Sequence, residues 1–564
     1  MLTLSGNNTF SGGIDHNSGT LVLASTNAAG TGPLTNGAIL NVTSNLTGGG
    51  LFTNENGGVA NFGMNAITGF TGFQNDAGGT ANFGNGSSFN VGANNLVNNG
   101  QLNSDGAVGL TGASFSNTGG GISMQDGATN DALTINAAFM GGGALAIDVD
   151  FAADTADVLT INGDVTGGMT IITLNDITAG ASTGNDILIV DGNGAMPADA
   201  FQLAGPVTSG AFTYDLALIG SDWFLTLALS PSTAVHEAYA AMLSELNGGS
   251  SLQQRLGNRN WAQQGSTSAG APVYGFSGIA EGAGDFQSGL WTRVEVAHSH
   301  HDSNGSDAGQ SRDTHFRKLQ FGIDGPAMEM GTGFITAGLF GFVGSANTDI
   351  SSSTGDGSIG TNMYGAGGSL TWYGNDGLYL DAVGQVAWYK SDLDSDDDGS
   401  LIEDADATGY TVSLEAGKRI YVSENWIVTP QAQITYSSID FDDFTDSTGS
   451  IVELKDGDSL KGRLGVALGR EARWQDESGM QNQSYTYLNL DLQNEFLDGT
   501  EVDVSGTALR NEDDQLTGTA ALGGTLALDD GRLSLFGEVA FSTSLENVGG
   551  SGSVRGNAGL KLHF

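Results

Sequence analysis

Three groups of residues have types and spacings that chemistry could use. In "DSDDDG", Asp394, Asp396 and Asp398 offer carboxylate oxygens at alternate positions ahead of Gly399, which is how a calcium loop opens. The twelfth position, where a bidentate Glu belongs, is Ala405, with Glu403 and Asp404 out of register, so a solvated loop is the simpler reading. His298, His300, His301 and His315 place four of the seven histidines in what is predicted to be one loop. Alternation puts His298 and His300 on one face, where imidazoles could chelate a transition metal, although a metal-free polar loop explains them equally. Asp148 and Asp150 in "IDVDF" share a face, as do the paired carboxylates that cleave sugars. Acidic residues are, however, common on the outside of a stacked β-structure. Nucleophile chemistry lacks material: there is no cysteine, and His16 is the one histidine before Leu229. No P-loop pattern occurs either. Catalytic, cofactor-binding and metal residues are therefore expected to be absent, and the chain is read as not being an enzyme.

The charge balance excludes further classes. The net charge is -45, and all 18 Lys and Arg residues lie from Arg255 onward. Nucleic-acid binding needs basic residues to neutralise phosphates, so no nucleic acid is expected, and anionic polymers are disfavoured for the N-terminal 254 residues. Solubility through an acidic surface competes there with a specific cation-binding role. Gly 90 against Pro 7, interleaved with Leu, Ile, Val, Phe and Asn, indicates short strands and tight turns rather than disorder. The absence of cysteine suits a chain that crosses an oxidising compartment unfolded. "MLTLSGNNTF" lacks the basic and apolar regions of a signal peptide, so an N-terminally truncated sequence is expected. No apolar run approaches the ~20 residues of a membrane-spanning helix, a test that β-strands escape.

The elements that must carry these residues follow from periodicity. "TNENGGVANFG" from Thr53 and "FQNDAGGTANFG" from Phe73 are near copies, with looser versions at Val97 and Phe115. A repeat of roughly twenty residues signals a solenoid. Each unit would be one coil of a right-handed parallel β-helix over 1–185, with Asn and Gly at corners and Leu, Val, Phe and Ile in a core that only stacked coils can bury. Phe212, Tyr214, Trp223 and Phe224 fall in 186–229, which would cap the stack. Then the period changes. Ser230 and Pro231 start a helix over 231–247, with Val235, Tyr239, Leu243 and Leu246 as one stripe before Gly248-Gly249. From about residue 289 twelve longer alternating strands run to the last residue, an even number as single-chain barrels require. They are Leu290–His300, Phe316–Gly325, Gly333–Ala346, Asn362–Tyr373, Leu378–Asp392, Ala407–Val422, Trp426–Phe441, Ser459–Ala472, Tyr485–Leu497, Gln515–Leu528, Leu533–Leu545 and Ser553–Phe564. Trp426, Val428, Pro430, Ala432, Ile434 and Tyr436 alternate with Ile427, Thr429, Gln431, Gln433 and Thr435, giving one lipid-compatible face and one wet face. Long acidic connections alternate with mostly short ones, which places the long ones outside the cell and starts the first strand at the periplasm. Trp291, Trp372, Tyr373, Trp388, Tyr389 and Trp426 are predicted to form an interfacial girdle, unless some are core.

These segments carry a family resemblance. "LTLSGNNTFSGGIDHNSGTLVLASTNAAGTGPL" (2–34) resembles the passenger-associated transport repeat of bacterial autotransporters. Ala156 to Asn175, with "TGNDILIVDG" and "FTYDLALIGSDWFLTLAL", is similar to the C-terminal end of a pertactin-like passenger, an autochaperone region. The helix, trailed by "SLQQRLGNRNW", resembles the linker helix of an autotransporter pore, here a linker over 230–288. The chain end, Leu560, Leu562 and Phe564, resembles the assembly signal of outer-membrane proteins and would close the last strand against the first. The resemblance implies a twelve-stranded antiparallel transmembrane β-barrel over 289–564 that exports and anchors its own β-helical passenger at the surface of a Gram-negative cell. It also implies barrel-assembly machinery and periplasmic chaperones as partners, besides the outer-membrane bilayer. A monomer is expected, with an adhesin-like passenger of unknown surface ligand. Related proteins cleave at an Asn-Asn pair, and none lies between Ala240 and Trp261. A porin-like channel with an accessory β-domain and a polysaccharide-degrading passenger are the competing readings.

Overall fold

Asparagine recurs at one coil's spacing, and in the computed structural model of the protein the copies stack. The structure describes residues 1–257, 288–302, 304–477, 479–529 and 531–564, in two units, Met1–Ala228 and Leu229–Phe564. The linker expected at 230–288 thus lies outside the described residues over 258–287.

In the first unit short strands pair in parallel, coil on coil. The inward column runs Leu34, Phe52, Phe73, Leu96, Phe115 and Phe139, each in direct register with the next. The rings of Phe52 and Phe73 lie stacked 5.7 Å apart, and those of Phe62 and Phe83 4.7 Å apart. Two residues after each of the first five members of this column stands a fully buried amide, whereas Phe139 is followed there by Gly141. Asn36, Asn54, Asn75 and Asn98 each donate from Nδ2 to the Oδ1 of the next coil's Asn at 2.8 Å, ending on Asn117. Spare amide hydrogens go to carbonyls: Asn54 also serves Gly58 and Thr80. Buried amides are tolerated because none is left wanting a partner. The glycines beside them are forced by the same stacking, since a Cβ on Gly58 would sit 2.3 Å from the Asn36 carbonyl oxygen.

Parallel stacking ends where Ile187–Gly192 pairs antiparallel with Asp222–Leu229. Tyr214 and Trp223 plug this end: Tyr214 stacks on Phe151 at 4.2 Å, and Trp223 meets Phe201 edge-on at 5.8 Å. Phe212 packs only partly against the core, and Phe224 stays half-buried. Asp148 does not face outward as expected. It is fully buried and accepts from the backbone N–H groups of Asp126 and Gly127 and from Asn175. Asp150 closes a local turn onto Ala152 and Ala153.

In the second unit twelve long antiparallel strands close on themselves. They are β1 (Gly289–His301), β2 (Ser311–Met330), β3 (Gly333–Ser351), β4 (Gly357–Gly374), β5 (Leu378–Ser395), β6 (Gly399–Lys418), β7 (Trp426–Phe441), β8 (Asp458–Gln475), β9 (Gln481–Glu495), β10 (Leu516–Leu528), β11 (Leu533–Ser544) and β12 (Gly552–His563). β12 pairs with β1 from Gly289↔His563 to His300↔Gly552. Apolar side chains such as Leu290, Val412, Leu464 and Leu522 stand exposed on the outside, as lipid-facing residues do.

Several strands outrun their predicted ends. β2 starts at Ser311 and β6 at Gly399, because backbone pairing continues above the apolar belt where side-chain alternation no longer reports it. His298, His300 and His301 therefore lie on β1 and His315 on β2, instead of in a loop. The aromatic girdle is only partial. Trp388 and Trp426 face out, whereas Trp291, Tyr373 and Tyr389 are buried inside the barrel. Their strand position put them at interfacial height, but their parity turns them inward.

The ladder makes a prediction. Asn54→Ala removes one rung and strands buried partners on both sides, which should cost about 1–3 kcal/mol and lower the first unit's thermal transition. Asn61→Ala breaks the half-buried outer ladder, Asn41, Asn61, Asn82 and Asn103, where water can substitute, and should cost less. Calorimetry of the full chain in detergent micelles measures both.

Candidate functional site

The barrel wall is polar on its inner face, and residues 231–257 occupy part of the bore. Helix α1 (Pro231–Leu246) and the short α2 (Leu252–Leu256) both lie against inward-facing strand residues. Val235, Tyr239, Leu243 and Leu246 are buried, and so are Ser232, Thr233, His236, Glu237, Ala240 and Met242. One-sided periodicity cannot foresee this, because a helix enclosed by a barrel has no solvent face.

The upper end of α1 meets the long loops. Pro231 fits against Gly355, where a Cβ would come within 2.5 Å, and Val235 against Gly357. Ser230 caps with no side-chain bond. Instead the Ser232 N–H donates to Asp398, an anion placed at the positive end of the helix. Burial, with Asp397 and Asp446 nearby, pushes the Asp398 carboxyl above its ordinary value. The "DSDDDG" run is thus a hairpin tip between β5 and β6, with Asp394 paired to Ser400 and Ser395 to Gly399. Fully buried His236 and Asp446 lie 3.2 Å apart, and Tyr239 packs on Phe441 at 5.0 Å.

Two of the acidic loops are ordered over the helix. Phe444–Thr445, Ile451–Asp456, Thr500–Val504 and Thr507–Asn511 form a separate four-stranded sheet. It buries Val452, Val502, Val504 and Leu509, and α1 packs on its third strand in chain order. The β1–β2 loop joins it through Asp307 N–H to the Arg510 carbonyl at 3.0 Å. The Glu237 carboxylate accepts from Ala308 N–H at 2.8 Å. Sequence reading passed over this lid; the alternation in "SIVEL" and "TEVDVSGTALRN" was its signal, too short to outweigh the acidic surroundings.

Below α1 the contacts become polar. Asn247 is fully buried and clamped to three strands: its Nδ2 donates to the Tyr410 and Ser438 carbonyls at 3.1 and 3.0 Å, and its Oδ1 accepts from Tyr389 and Thr411 at 3.3 and 3.1 Å. Glu245 accepts from Ser299 at 2.6 Å and faces His301 at 3.4 Å, while Arg312 pairs with Asp513. His298 stacks on His315 outside the barrel, with ring centroids 4.4 Å apart, and His300 meets Asp313 at 3.0 Å; the four histidines do not converge.

α2 is held by charges matched to the wall. Arg255 makes two 2.7 Å bonds to Asp381, Leu252 N–H donates to Glu415 at 3.0 Å, and Gln254 donates to Glu538 at 3.0 Å. Arg293 reaches the Gln254 carbonyl at 2.8 Å and Glu295 at 3.0 Å, and Glu295 also pairs with Lys318 and Arg555. The plug does not fill the bore. A polar cavity of about 290 Å³ remains beside it, lined by Gln433, Thr435, Lys461, Arg463, Asn489 and Arg555 among others. At the opposite surface Leu560 and Leu562 face outward, and the Phe564 N–H donates to the Ser288 carbonyl at 3.1 Å.

Two family models match the chain. Residues 290–540 match the family described as "Autotransporter beta-domain", and 113–216 match "Autochaperone Domain Type 1", which overlaps the 186–229 cap segment and begins upstream of it. The adhesin BmaC autotransporter of Brucella suis is 33% identical across all of this chain and 18% of its own length. The probable autotransporter YfaL of Escherichia coli is 27% identical over 76% of this chain and 35% of its own. The chain thus spans a third or less, roughly, of these relatives. The transport unit of the E. coli autotransporter AIDA-I aligns with 60% of this chain and all of its own, with a TM-score of 0.45 at 16% identity. With its β-helical unit, its lumenal helix and its closed twelve-stranded β-domain, the chain belongs to the outer-membrane autotransporters.

Proposed function

We propose that the barrel exports the β-helical unit and then anchors it at the cell surface as an adhesin-like or structural protein, without enzymatic chemistry. One observation carries the reading. The chain threads the lumen from the end bearing long loops, with Pro231 at Gly355, to the end bearing short turns, with Arg255 at Asp381 and Gly257 beside Thr525 and Phe536. The lumenal segment therefore begins at the mouth that bears the long loops, the one we take to face outward. Stacking supplies the direction: the cap over 186–229 folds first, each coil buries apolar area only on a finished neighbour, and folding retains what has emerged. BmaC is named an adhesin, which supports a surface role here. Leu560, Leu562 and Phe564 act as the signal to the barrel-assembly machinery, with periplasmic chaperones keeping the chain unfolded before insertion, and the barrel works as a monomer.

Protease shaving of intact Gram-negative cells expressing this chain behind a signal peptide tests the reading. The first unit is expected to be digested while a fragment beginning near α1 survives, and deletion of Phe564 should abolish both. A first unit cut only after lysis, beside a folded barrel, would make the protein a channel with an inward domain. The plug gives a second prediction. Deleting 231–257 should raise single-channel conductance severalfold in planar bilayers, and Asn247→Ala, which cuts four side-chain bonds across three strands, should produce intermittent openings.

A further inference from the structure

The first unit gathers carboxylates at one edge of the β-helix with no basic side chain to meet them. One carboxylate oxygen from each of Asp105, Asp126 and Asp131 lies within 4.8 Å of the other two. Asp105 and Asp126 are exposed, while Asp131 is 2% exposed. Its Oδ1 accepts from Gly106 N–H at 2.6 Å, but its Oδ2 is buried and has no hydrogen-bond partner among the described residues. The acidic neighbours are not in this position. Asp157 accepts from the N–H groups of Asp131 and Asp148, and Asp148 from those of Asp126 and Gly127. Burial, with the charges of Asp126 and Asp105, pushes the Asp131 pKa up to about 6. No Lys or Arg precedes Arg255, so no such side chain of this unit can neutralise the group.

We propose that Asp105, Asp126 and Asp131 bind a divalent cation of the calcium type, which ties successive coils of the β-helix together. Three oxygens with those separations share a point at most about 2.8 Å from each, and small side-chain adjustments bring this to the roughly 2.3–2.6 Å that calcium takes. The two exposed carboxylates leave room for the waters that complete a six- to eightfold shell. Magnesium needs a tighter octahedron and sheds water reluctantly, and the all-oxygen donor set does not favour metals that prefer nitrogen or sulfur. The cation would cross a coil boundary, because Asp105 precedes the strand Ala107–Ser116, Asp131 precedes Ala132–Gly141, and these two strands pair in parallel. The site is independent of the translocation reading.

Hydrogen exchange on the full chain in detergent micelles tests it, after chelation and then with about 1 mM calcium or magnesium, the range of extracellular calcium modules. Calcium, more than magnesium, is expected to slow amides at 105–107 and 126–131 roughly tenfold and to raise the first unit's thermal midpoint. The double variant Asp105→Asn/Asp126→Asn, at exposed positions, should fold normally and lose both effects. Asp394→Asn/Asp396→Asn in the barrel hairpin should keep them. Equal slowing in the first double variant, slowing spread over every acidic segment, or no response to millimolar calcium would overturn the proposal.

Discussion

A backbone N–H or C=O inside a bilayer has no water to turn to, so it must be bonded within the protein. The pairing of β12 with β1 meets that demand, and much else follows from it. Closure fixes one face of every strand toward lipid and the other toward an enclosed space. With period two, the enclosed face is free to be polar, and a polar bore can be occupied only by a segment that answers its charges. Arg255 against Asp381 and Leu252 N–H against Glu415 are such answers. Buried ion pairs of this sort add little net stability once desolvation is counted, but breaking one side of a pair is expensive. They fix where the plug sits more than how tightly the barrel holds together.

The two units solve the same problem of buried polarity differently. The β-helix uses neutral amides that stack on their own copies, and buried carboxylates such as Asp148 and Asp157 that accept from backbone N–H groups. The barrel interior uses ions, and the basic residues of the chain are confined to Arg255 and beyond, many of them in the lumen. The split in composition therefore maps onto two ways of satisfying buried groups as well as onto surface charge.

Much of this was legible in the residues. Alternation such as Leu488, Leu490, Leu492 against Asn489, Asp491, Gln493 located the barrel strands, and the repeats at Thr53 and Phe73 located the coils. What periodicity could not report was context. The stripe Val235, Tyr239, Leu243, Leu246 says nothing about what stands opposite the other faces of α1. Tyr373 and Tyr389 sit at interfacial height but at inward parity. The lid sheet was hidden because Val452, Leu454, Val502 and Val504 are few and lie among acids, and composition outweighed pattern. Asp148 failed for the opposite reason: a carboxylate saturated by backbone N–H groups can be buried, and nothing in its neighbours' identities announces those donors.

The asparagine ladder has a direction. Every rung from Asn36 to Asn98 gives its amide hydrogen toward the C-terminal side and shows its carbonyl oxygen toward the N-terminal side, so the dipoles align and reinforce one another. A stack growing from its C-terminal end always presents an acceptor to the coil that arrives next. Asparagine, or a histidine in the tautomer that protonates Nδ1, can dock there, as His16 does on Asn36 at 2.8 Å. An aspartate at the same corner would meet oxygen with oxygen and be turned away. At this buried corner the open end of the stack distinguishes an amide from a carboxylate, whereas the half-buried outer ladder, whose amides donate toward the N-terminal side, does not.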